Sequence, residues 1–237
     1  MMEDCTSIEV REVLVINSRD LFSVFADEMP DAIVNTVNTM GVMGAGIALE
    51  FKLRFPKYFE TYKEKCKEGV KVGEAWLYEE NPKIISLFVK ENWKFPSRLE
   101  WVLLSLKNLK KIINQKGLGK VIMPVPGTGK GKLNKNQVIE IIQNLFKETV
   151  CEIIVCKDEE ISEKEKLVLE TLKHMSLSDF LEIGITKGRA QAILRNTANL
   201  HRFRDLLKLQ GIGIKTYEKL FLYFNQNSNT KMQNRLF

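Results

Sequence analysis

Short apolar segments alternate with longer segments of helical periodicity over the first two thirds of the chain. The apolar segments, residues 10–16, 32–35, 84–88, 120–124 and 152–155, predict β-strands. Apolar residues spaced three and four apart predict amphipathic helices over residues 101–113 and 138–146. Strands that alternate with helices are typical of an α/β sheet, whose ligand site lies at strand ends and in the loops that follow them.

The pattern changes after residue 158. Residues 157–165 are polar and acidic, and beyond them we find no strand pattern, only short helical segments separated by glycine-containing turns. We therefore predict a first domain over residues 1–158, a small all-α domain over 165–226 and a flexible tail over 227–237. The tail is rich in Asn and Gln and has little to bury.

Composition excludes several classes of protein. The 237 residues are 44% apolar, enough for one ordinary core and a small second unit. No run of eighteen apolar residues and no basic-then-apolar start occurs, so we expect neither a membrane span nor a secretory signal. The four cysteines and two histidines are scattered, which predicts no metal site, no disulfide framework and no cofactor, and favours a cytoplasmic location.

The net charge of +6 is unevenly distributed. Residues 1–159 carry 23 basic and 22 acidic residues, whereas residues 160–237 carry 13 basic and 8 acidic ones. A small basic domain is typical of proteins that bind a phosphate backbone, although solvated surface lysines are the alternative interpretation.

Two glycine-rich loops follow predicted strands. Gly41, Gly44 and Gly46 precede a helical pattern, so that backbone N–H groups and a helix N-terminus could hold a phosphate. The loop lacks the spacing of nucleotide-binding fingerprints, and a tight turn that needs glycine is the alternative. A second loop, residues 124–133, contains three glycines and two lysines, and the two loops together could hold a diphosphate.

Lys90 comes at the end of a predicted strand, close to Trp93. At a strand end its ammonium could polarise a sugar oxygen, or act as a base or nucleophile when desolvated. An ordinary surface lysine is the alternative.

These segments resemble a macrodomain over residues 1–156. The resemblance lies in the order of VNTVN at 34–38, GVMGAGIA at 41–48, FVKENW at 88–93, SRLE at 97–100 and the second glycine loop. It is strongest to the branch that contains the DarG antitoxins and the human terminal ADP-ribose glycohydrolase. The resemblance implies a mixed sheet flanked by helices and an ADP-ribose site.

The resemblance also implies roles for individual residues. Asp20 would accept a hydrogen bond from the adenine amino group, Asn38 would hold the distal ribose and Lys90 would be the catalytic lysine. The other candidate substrate-binding residues are Asn35, Val42, Met43, Gly44, Ala45, Gly46, Ile47, Trp93, Gly127, Thr128, Gly129, Lys130 and Gly131. Asp20 could instead cap a helix, and Asn38 could satisfy backbone groups of its own turn.

The chain departs from the family pattern at several positions. Arg19 replaces the glycine before Asp20, Thr128 replaces a loop cysteine, and the Pro-Thr before the catalytic lysine is absent. Gly131 stands where the human glycohydrolase has a catalytic aspartate, and a glycine at this position agrees with DarG instead. A lysine-adduct mechanism that needs this acid is therefore disfavoured, and Lys90 is the one obvious catalytic side chain of the loop regions.

Residues 178–194 and 206–220 repeat the order apolar helix, Gly-Ile turn, basic residue, helix. The repeat resembles a tandem helix-hairpin-helix of the ComEA type. Such turns present N–H groups and a basic side chain to DNA phosphates without reading sequence. The candidate DNA-binding residues are Gly184, Lys187, Arg189, Gly211, Gly213, Lys215 and Thr216. Thr186 replaces the second glycine of the first turn, and packing of the two helices is the alternative role of the isoleucines.

Together these interpretations predict a DNA ADP-ribosyl glycohydrolase with an antitoxin or repair role, directed to DNA by its C-terminal domain. The base would be thymine by analogy with DarG, with guanine as an alternative. Its partners would be ADP-ribose, DNA and, if the antitoxin analogy extends so far, a cognate DNA ADP-ribosyltransferase toxin. The alternatives are a non-catalytic ADP-ribose reader and a hydrolase of small ADP-ribose derivatives or of ADP-ribosylated protein.

Overall fold

The structure is a computed structural model that describes the backbone of residues 13–231 and the side chains of residues 13–225. The strands are β1 (Leu14–Asn17), β2 (Ala32–Asn38), β3 (Ala75–Tyr78), β4 (Ile84–Lys90), β5 (Lys120–Pro124) and β6 (Glu152–Cys156). The helices are α1 (Leu21–Glu28), α2 (Gly46–Arg54), α3 (Pro56–Lys67), α4 (Leu99–Lys116), α5 (Lys135–Phe146), α6 (Glu163–His174), α7 (Leu177–Glu182), α8 (Lys187–Leu194) and α9 (Ile214–Lys231). Two 3₁₀ segments, Thr197–Asn199 and Phe203–Lys208, lie between α8 and α9.

The strands form one six-stranded mixed sheet in the order β1-β6-β5-β2-β4-β3. All neighbouring strands are parallel except β3, which pairs antiparallel with β4 at the edge. The predicted α/β class is confirmed, and each of the five predicted strands has a counterpart. The first of these begins at Leu14, and residues 10–12 lie outside the described range.

The largest differences between the sheet and the prediction are in β2, β4 and β3. β2 and β4 continue to Asn38 and Lys90, further than the apolar runs indicate, because pairing between them satisfies the backbone of their polar last residues. β3 was missed because it is a half-buried edge strand of four residues, too short for an alternating pattern to stand out.

Helices α4 and α5 cover one face of the sheet. Alternate residues of the strands, such as Ala32 and Val34 of β2, point into a core that contains Leu106 and Ile142 of these helices. At its amino end, α5 is capped by Asn134, whose side chain accepts a hydrogen bond from the Gln137 N–H at 3.1 Å. The helical periodicity of residues 101–113 and 138–146 is thereby confirmed.

The chain forms two compact units. The first contains the sheet and comprises residues up to 41 and residues 65–158, and the second comprises residues 42–64 and residues from 159 onwards. The core of the second unit joins Leu49 of α2 to apolar residues of the C-terminal helices, among them Leu172, Phe180, Ile193 and Leu220. The domain limits predicted from the sequence stay a prediction, but that prediction did not foresee the grouping of residues 42–64 with the C-terminal segment.

The C-terminal segment contains only α-helices and 3₁₀ helices among its described residues. The predicted helix before the second glycine turn is a 3₁₀ segment, Phe203–Lys208, and not an α-helix. The Asn- and Gln-rich stretch after Asn225 is helical as far as Lys231, because α9 continues through it, and residues 232–237 lie outside the described range. Within the described residues, no helix combines the length and apolar character that crossing a membrane requires.

Candidate functional site

The carboxyl ends of β2 and β4 form one edge of the sheet and bring two candidate residues together. The two strands pair in parallel, and a register shift after Val37 places Asn38 opposite Lys90. Thr39 fastens this pairing, because its N–H donates to the Lys90 carbonyl and its hydroxyl donates to the Glu91 carbonyl, each at 3.0 Å. The positions of Asn38 and Lys90 are therefore determined by backbone pairing rather than by a loop.

The amine of Lys90 is half-buried and contacts the second glycine loop. Its Nζ donates a hydrogen bond to the Lys130 carbonyl oxygen at 2.6 Å. Burial lowers the pKa of Lys90 below its usual range, and the neighbouring cations Lys130 and Lys132 lower the pKa further. At a given pH, a larger fraction of Lys90 is therefore neutral than of an exposed lysine. A backbone carbonyl orients its nitrogen.

The second glycine loop, residues 124–133, is a closed turn. The Leu133 N–H donates to the Gly127 carbonyl at 3.1 Å, and the Ser97 N–H donates to the Gly131 carbonyl at 3.0 Å. Within the turn, the Thr128 hydroxyl donates to the Val125 carbonyl at 2.9 Å. These bonds hold the loop in one conformation, with Gly129 and Lys130 at its exposed tip.

Gly131 lies where no side chain fits. A Cβ at this position would be 2.1 Å from the Gly127 carbonyl oxygen and 2.5 Å from the Ser97 hydroxyl oxygen. A Cβ built at Gly129, two residues earlier, would have no atom within 4 Å beyond its own residue and its chain neighbours. The loop therefore has no room for the aspartate of the human glycohydrolase, and its conformation depends on the close approach of Gly131 to Gly127.

Asp20 caps α1, as its alternative role predicts. Its Oδ1 accepts hydrogen bonds from the N–H groups of Phe22 at 3.0 Å and Ser23 at 2.9 Å, and its Oδ2 accepts one from the Ser23 hydroxyl. A carboxylate oxygen has two lone pairs, so Oδ2 can accept one further donor. The contact with adenine stays a prediction.

The remaining candidates of the first unit differ in exposure. Asn38 is 6% exposed, and its Oδ1 accepts a hydrogen bond from the Met40 N–H at 3.0 Å, as its alternative role predicts. Asn35 is fully buried within β2 and presents no surface to solvent. Trp93 is 49% exposed, and the Lys94 ammonium lies 5.3 Å from the centre of its ring. The roles of Asn35, Asn38 and Trp93 in binding stay predictions.

The first glycine loop belongs to the second compact unit from Val42 onwards and leads into α2. Met43 is buried, whereas Ala45 and Gly46 are exposed at the helix start. Ala45 occupies the N-cap, and no side chain within the described residues caps this helix. Helices α4 and α8 likewise have no side-chain cap hydrogen bond, whereas α1, α5, α6 and α7 have one. The uncapped start therefore does not by itself mark α2 as a ligand site, and the role of this loop in binding stays a prediction.

The two C-terminal glycine turns also lie in the second unit. Gly184 and Gly211 begin them with φ of 79° and 82°, values that favour glycine. The Lys219 ammonium of α9 donates to the Gly184 carbonyl at 2.8 Å and so links the first turn to the helix that follows the second. The exposed candidates are Gly184, Lys187, Arg189, Gly211, Gly213 and Lys215, whereas Thr216 is only 3% exposed. Thr216 therefore packs inside the unit.

The thiols and the metal-ligating side chains add no further chemistry to the described part of the chain. Burial raises the pKa of Cys151 to about 11 and that of Cys156 to about 12, so both thiols stay protonated at neutral pH. Cys66 is a third free thiol, and Cys5 lies outside the described residues. No group of three His, Cys, Asp or Glu residues suited to a metal ion occurs within residues 13–225.

Three residues with roles in the first unit are absent from the candidates chosen by sequence. Ser97 holds the Gly131 carbonyl, Thr39 fastens the strand ends, and the charge of Lys132 acts on Lys90. Ser97 had a signal, since it begins the SRLE segment of the family resemblance. Lys132 was visible as one of the two lysines of the second glycine loop, but its effect on Lys90 was not predicted. Thr39 acts through contacts between segments far apart in sequence, for which the sequence carries no pattern.

The fold and these strand ends define an α/β protein with candidate phosphate-binding loops after its parallel strands. Comparison with known proteins makes the class specific. The family model described as Macro domain matches residues 34–142. The structure is similar to the macrodomain of Mycobacterium tuberculosis DarG, with 31% identity and a TM-score of 0.57, over 60% of this chain and 96% of that one. This chain therefore belongs to the macrodomain family.

Two further relatives lie in the same branch. The macrodomain of Thermus aquaticus DarG is 32% identical, with a TM-score of 0.56, over 61% of this chain and 97% of that one. The curated Thermus aquaticus protein named DNA ADP-ribosyl glycohydrolase is 38% identical over 119 residues, which are 48% of this chain and 33% of that protein. The chain thus spans about a third of the length of this curated relative.

The packing of the second glycine loop predicts unequal effects of two alanine substitutions. Gly131→Ala must open the turn, and we expect it to lower the free energy of unfolding by about 1–3 kcal/mol, typical of overpacking. Gly129→Ala is the matched control, and it should change the free energy by less than about 0.5 kcal/mol, as a surface substitution does. Denaturant unfolding measures both. Equal effects of the two substitutions would contradict the closed turn.

The charges around Lys90 predict a change in its titration. Lys130→Gln keeps the carbonyl that accepts from Lys90 but removes a neighbouring cation, so the pKa of Lys90 should rise. The pH dependence of amine labelling at Lys90, followed by mass spectrometry, measures this pKa. Lys111→Gln, on the exposed side of α4, is the control that should leave the midpoint in place. A midpoint that stays or falls in Lys130→Gln would refute this electrostatic account.

Proposed function

We propose that this protein is a DNA ADP-ribosyl glycohydrolase that removes ADP-ribose from a modified DNA base. The observation that carries the proposal is the Lys90 amine, which the paired ends of β2 and β4 and the Lys130 carbonyl hold at one edge of the sheet. The name of the Thermus aquaticus relative, DNA ADP-ribosyl glycohydrolase, supports the same reaction. Burial keeps the Cys151 and Cys156 thiols protonated, whereas the pKa of Lys90 is lowered, which favours Lys90 over these thiols as the reactive group.

The bond that breaks is the N-glycosidic bond between the distal ribose and the base. Cleavage of such bonds passes through a transition state in which positive charge develops on the ribose, and water then adds to the anomeric carbon. Binding of the remote adenosine and diphosphate would orient and distort the reacting ribose, because binding energy away from the reacting atoms can be used at the reaction centre. The proton released from water balances the one taken up by the departing base.

Lys90 has two roles open to it in this reaction. As an ammonium it donates one hydrogen to the Lys130 carbonyl, and its other two hydrogens can stabilise negative charge on the leaving base. Alternatively, its nitrogen interacts with a ribose oxygen and so positions the sugar. A covalent route that needs an acid at position 131 does not fit this chain, since Gly131 has no room for a side chain.

We also propose that the C-terminal helices bind the DNA backbone. The segment has two exposed glycine turns, and each is followed by a helix with basic residues in its first turn. A hydrogen bond from Lys219 to the Gly184 carbonyl links the first turn to α9. The excess of basic residues after position 159 favours a polyanionic partner. Contacts to phosphates carry no sequence preference, so this unit would hold many DNA sequences equally.

The proposed biological role depends on the proposed reaction. A protein that reverses DNA ADP-ribosylation serves as an antitoxin or in repair, and in the first case its partner is a DNA ADP-ribosyltransferase. By analogy with DarG the base would be thymine.

Lys90→Ala should abolish release of ADP-ribose from an ADP-ribosylated DNA oligonucleotide. We expect a loss of at least about 100-fold, the usual contribution of a group that transfers or stabilises a proton in the transition state. The assay measures free ADP-ribose by chromatography, with Lys111→Ala as the control lysine on α4. Equal release by wild type and Lys90→Ala would exclude catalysis by Lys90. Binding of ADP-ribose without release by either protein would instead favour a non-catalytic reader.

Lys215→Glu should weaken binding to duplex DNA by a similar factor for every sequence tested. Loss of a phosphate contact also lowers the slope of log K against log salt concentration by about 1. Fluorescence anisotropy with three unrelated duplexes at several salt concentrations measures both effects. Lys173→Glu, an exposed lysine of α6 with the same charge change, is the control. Unchanged binding in Lys215→Glu would remove the second turn from the DNA surface.

A further inference from the structure

Helix α2 is part of the second compact unit, where it packs against α9. An ion pair joins them, because the Lys52 ammonium lies 2.5 Å from the Glu218 carboxylate. The two side chains are only 31% and 23% exposed, so solvent screens this pair less than it screens the exposed ion pairs of the surface. Lys52 and Glu218 are 166 residues apart in sequence, and their pairing fixes α2 to the C-terminal helices.

Two further contacts strengthen this attachment. The Arg54 guanidinium lies 5.1 Å from the centre of the Phe221 ring, one turn along α9 from Glu218. Leu49 is 1% exposed and belongs to the apolar core that the C-terminal helices form. A charge pair, a cation–π contact and a buried leucine thus attach this helix of nine residues to the C-terminal helices.

The attachment continues to the glycine loop that precedes α2. A Cβ at Gly44 would lie 3.8 Å from the Cδ1 atom of Ile214, which is ordinary van der Waals contact. Ile214 is the first residue of α9 and is 41% exposed, although it is a large apolar residue. Its side chain is therefore placed against the loop, next to the exposed and uncapped start of α2 at Ala45 and Gly46.

We propose that α9 positions the first glycine loop for ADP-ribose, with Glu218, Phe221 and Ile214 as positioning residues. The inference rests on the proposed function, because it takes the loop before α2 to bind the diphosphate. N–H groups bind an anion well only when they are held within a few tenths of an ångström of the productive geometry. Since α2 is anchored on α9, the orientation of its first N–H groups depends on the C-terminal helices.

This inference changes the role of the C-terminal segment. A simple DNA tether would affect where the protein binds but not how tightly it holds ADP-ribose. A positioning role predicts instead that substitutions on α9 weaken binding of free ADP-ribose in the absence of any DNA. It also means that the glycine turn before α9 and the glycine loop before α2 share one rigid support, because Ile214 directly follows Gly213.

The test is a double-mutant cycle on the ion pair, performed on the full chain. Lys52→Glu and Glu218→Lys each place two like charges in contact, and we expect each to weaken ADP-ribose binding by about tenfold, equivalent to about 1.4 kcal/mol. The double variant restores an ion pair of reversed polarity and should recover most of the affinity. Titration calorimetry with ADP-ribose alone, at a temperature well below the unfolding midpoint of every variant, measures the dissociation constants.

The matched control is an ion pair of the same unit that does not involve α2. Glu165 and Arg202 lie 3.0 Å apart and are 19% and 18% exposed. Glu165→Gln should lower the unfolding temperature of the protein while leaving the affinity for ADP-ribose unchanged. This control distinguishes a general loss of stability from a displacement of the first glycine loop. Recovery of affinity in the charge-reversed double variant makes the same distinction.

The outcomes distinguish this inference from the proposed function. Weaker binding in both single variants and recovery in the double variant support the positioning role. If wild type binds ADP-ribose and Glu218→Lys binds it equally well, the inference is wrong and the proposed function stands. If Glu165→Gln weakens binding as much as Glu218→Lys does, the effect is one of stability and the inference is again wrong. A wild-type protein that does not bind ADP-ribose overturns both.

Discussion

Parallel pairing of β2 with β4 is the constraint on which the candidate site depends. Parallel strands bring their carboxyl ends to the same edge of a sheet, and the register shift after Val37 sets Asn38 opposite Lys90 at that edge. From this position the Lys90 amine donates a hydrogen bond to the Lys130 carbonyl, and that bond joins the strand end to the loop after β5. A one-residue slip of β4 would turn Lys90 to the other face of the sheet and separate it from the loop.

The electrostatics of this edge make the Lys90 ammonium a stronger acid than that of an exposed lysine. Burial and two neighbouring lysines lower the pKa of Lys90, and the group that orients it is a neutral carbonyl rather than a carboxylate. A carboxylate partner would instead stabilise the ammonium and raise its pKa. Gly131 has no room for a side chain, so no acid can act from that position of the second loop. The proposed role of Lys90 needs no carboxylate there.

The sequence predicted those parts of the fold whose signal is local. Strand Lys120–Pro124, which contains the apolar run of residues 121–124, was predicted with both of its ends, and the glycine loops were visible because glycines cluster after strands. The half-buried edge strand Ala75–Tyr78 carries no such signal and was missed. The 3₁₀ form of Phe203–Lys208 also escaped prediction, because its apolar spacing resembles that of an α-helix.

Contacts between distant segments could not be read from the sequence at all. The partner of Lys90 is a backbone carbonyl, which every residue possesses, and it lies 40 residues away in the chain. The ion pair between Lys52 and Glu218 was also not predictable, because in the sequence both residues resemble ordinary surface charges. The family resemblance correctly predicted the class of the fold, but the attachment of α2 to the C-terminal helices lies outside anything that the family pattern contains.

The central claim is that ADP-ribose binds beside the Lys90 amine, and nuclear magnetic resonance of isotope-labelled lysine side chains tests it most directly. The signal of Lys90 is identified by its absence from the spectrum of Lys90→Arg. Our account predicts that this signal shifts on addition of ADP-ribose and that the shift is complete at one equivalent. The reason is that the ligand changes the environment of an amine that contacts the Lys130 carbonyl in the free protein. A Lys90 signal that stays in place while ADP-ribose is added to excess would contradict the account.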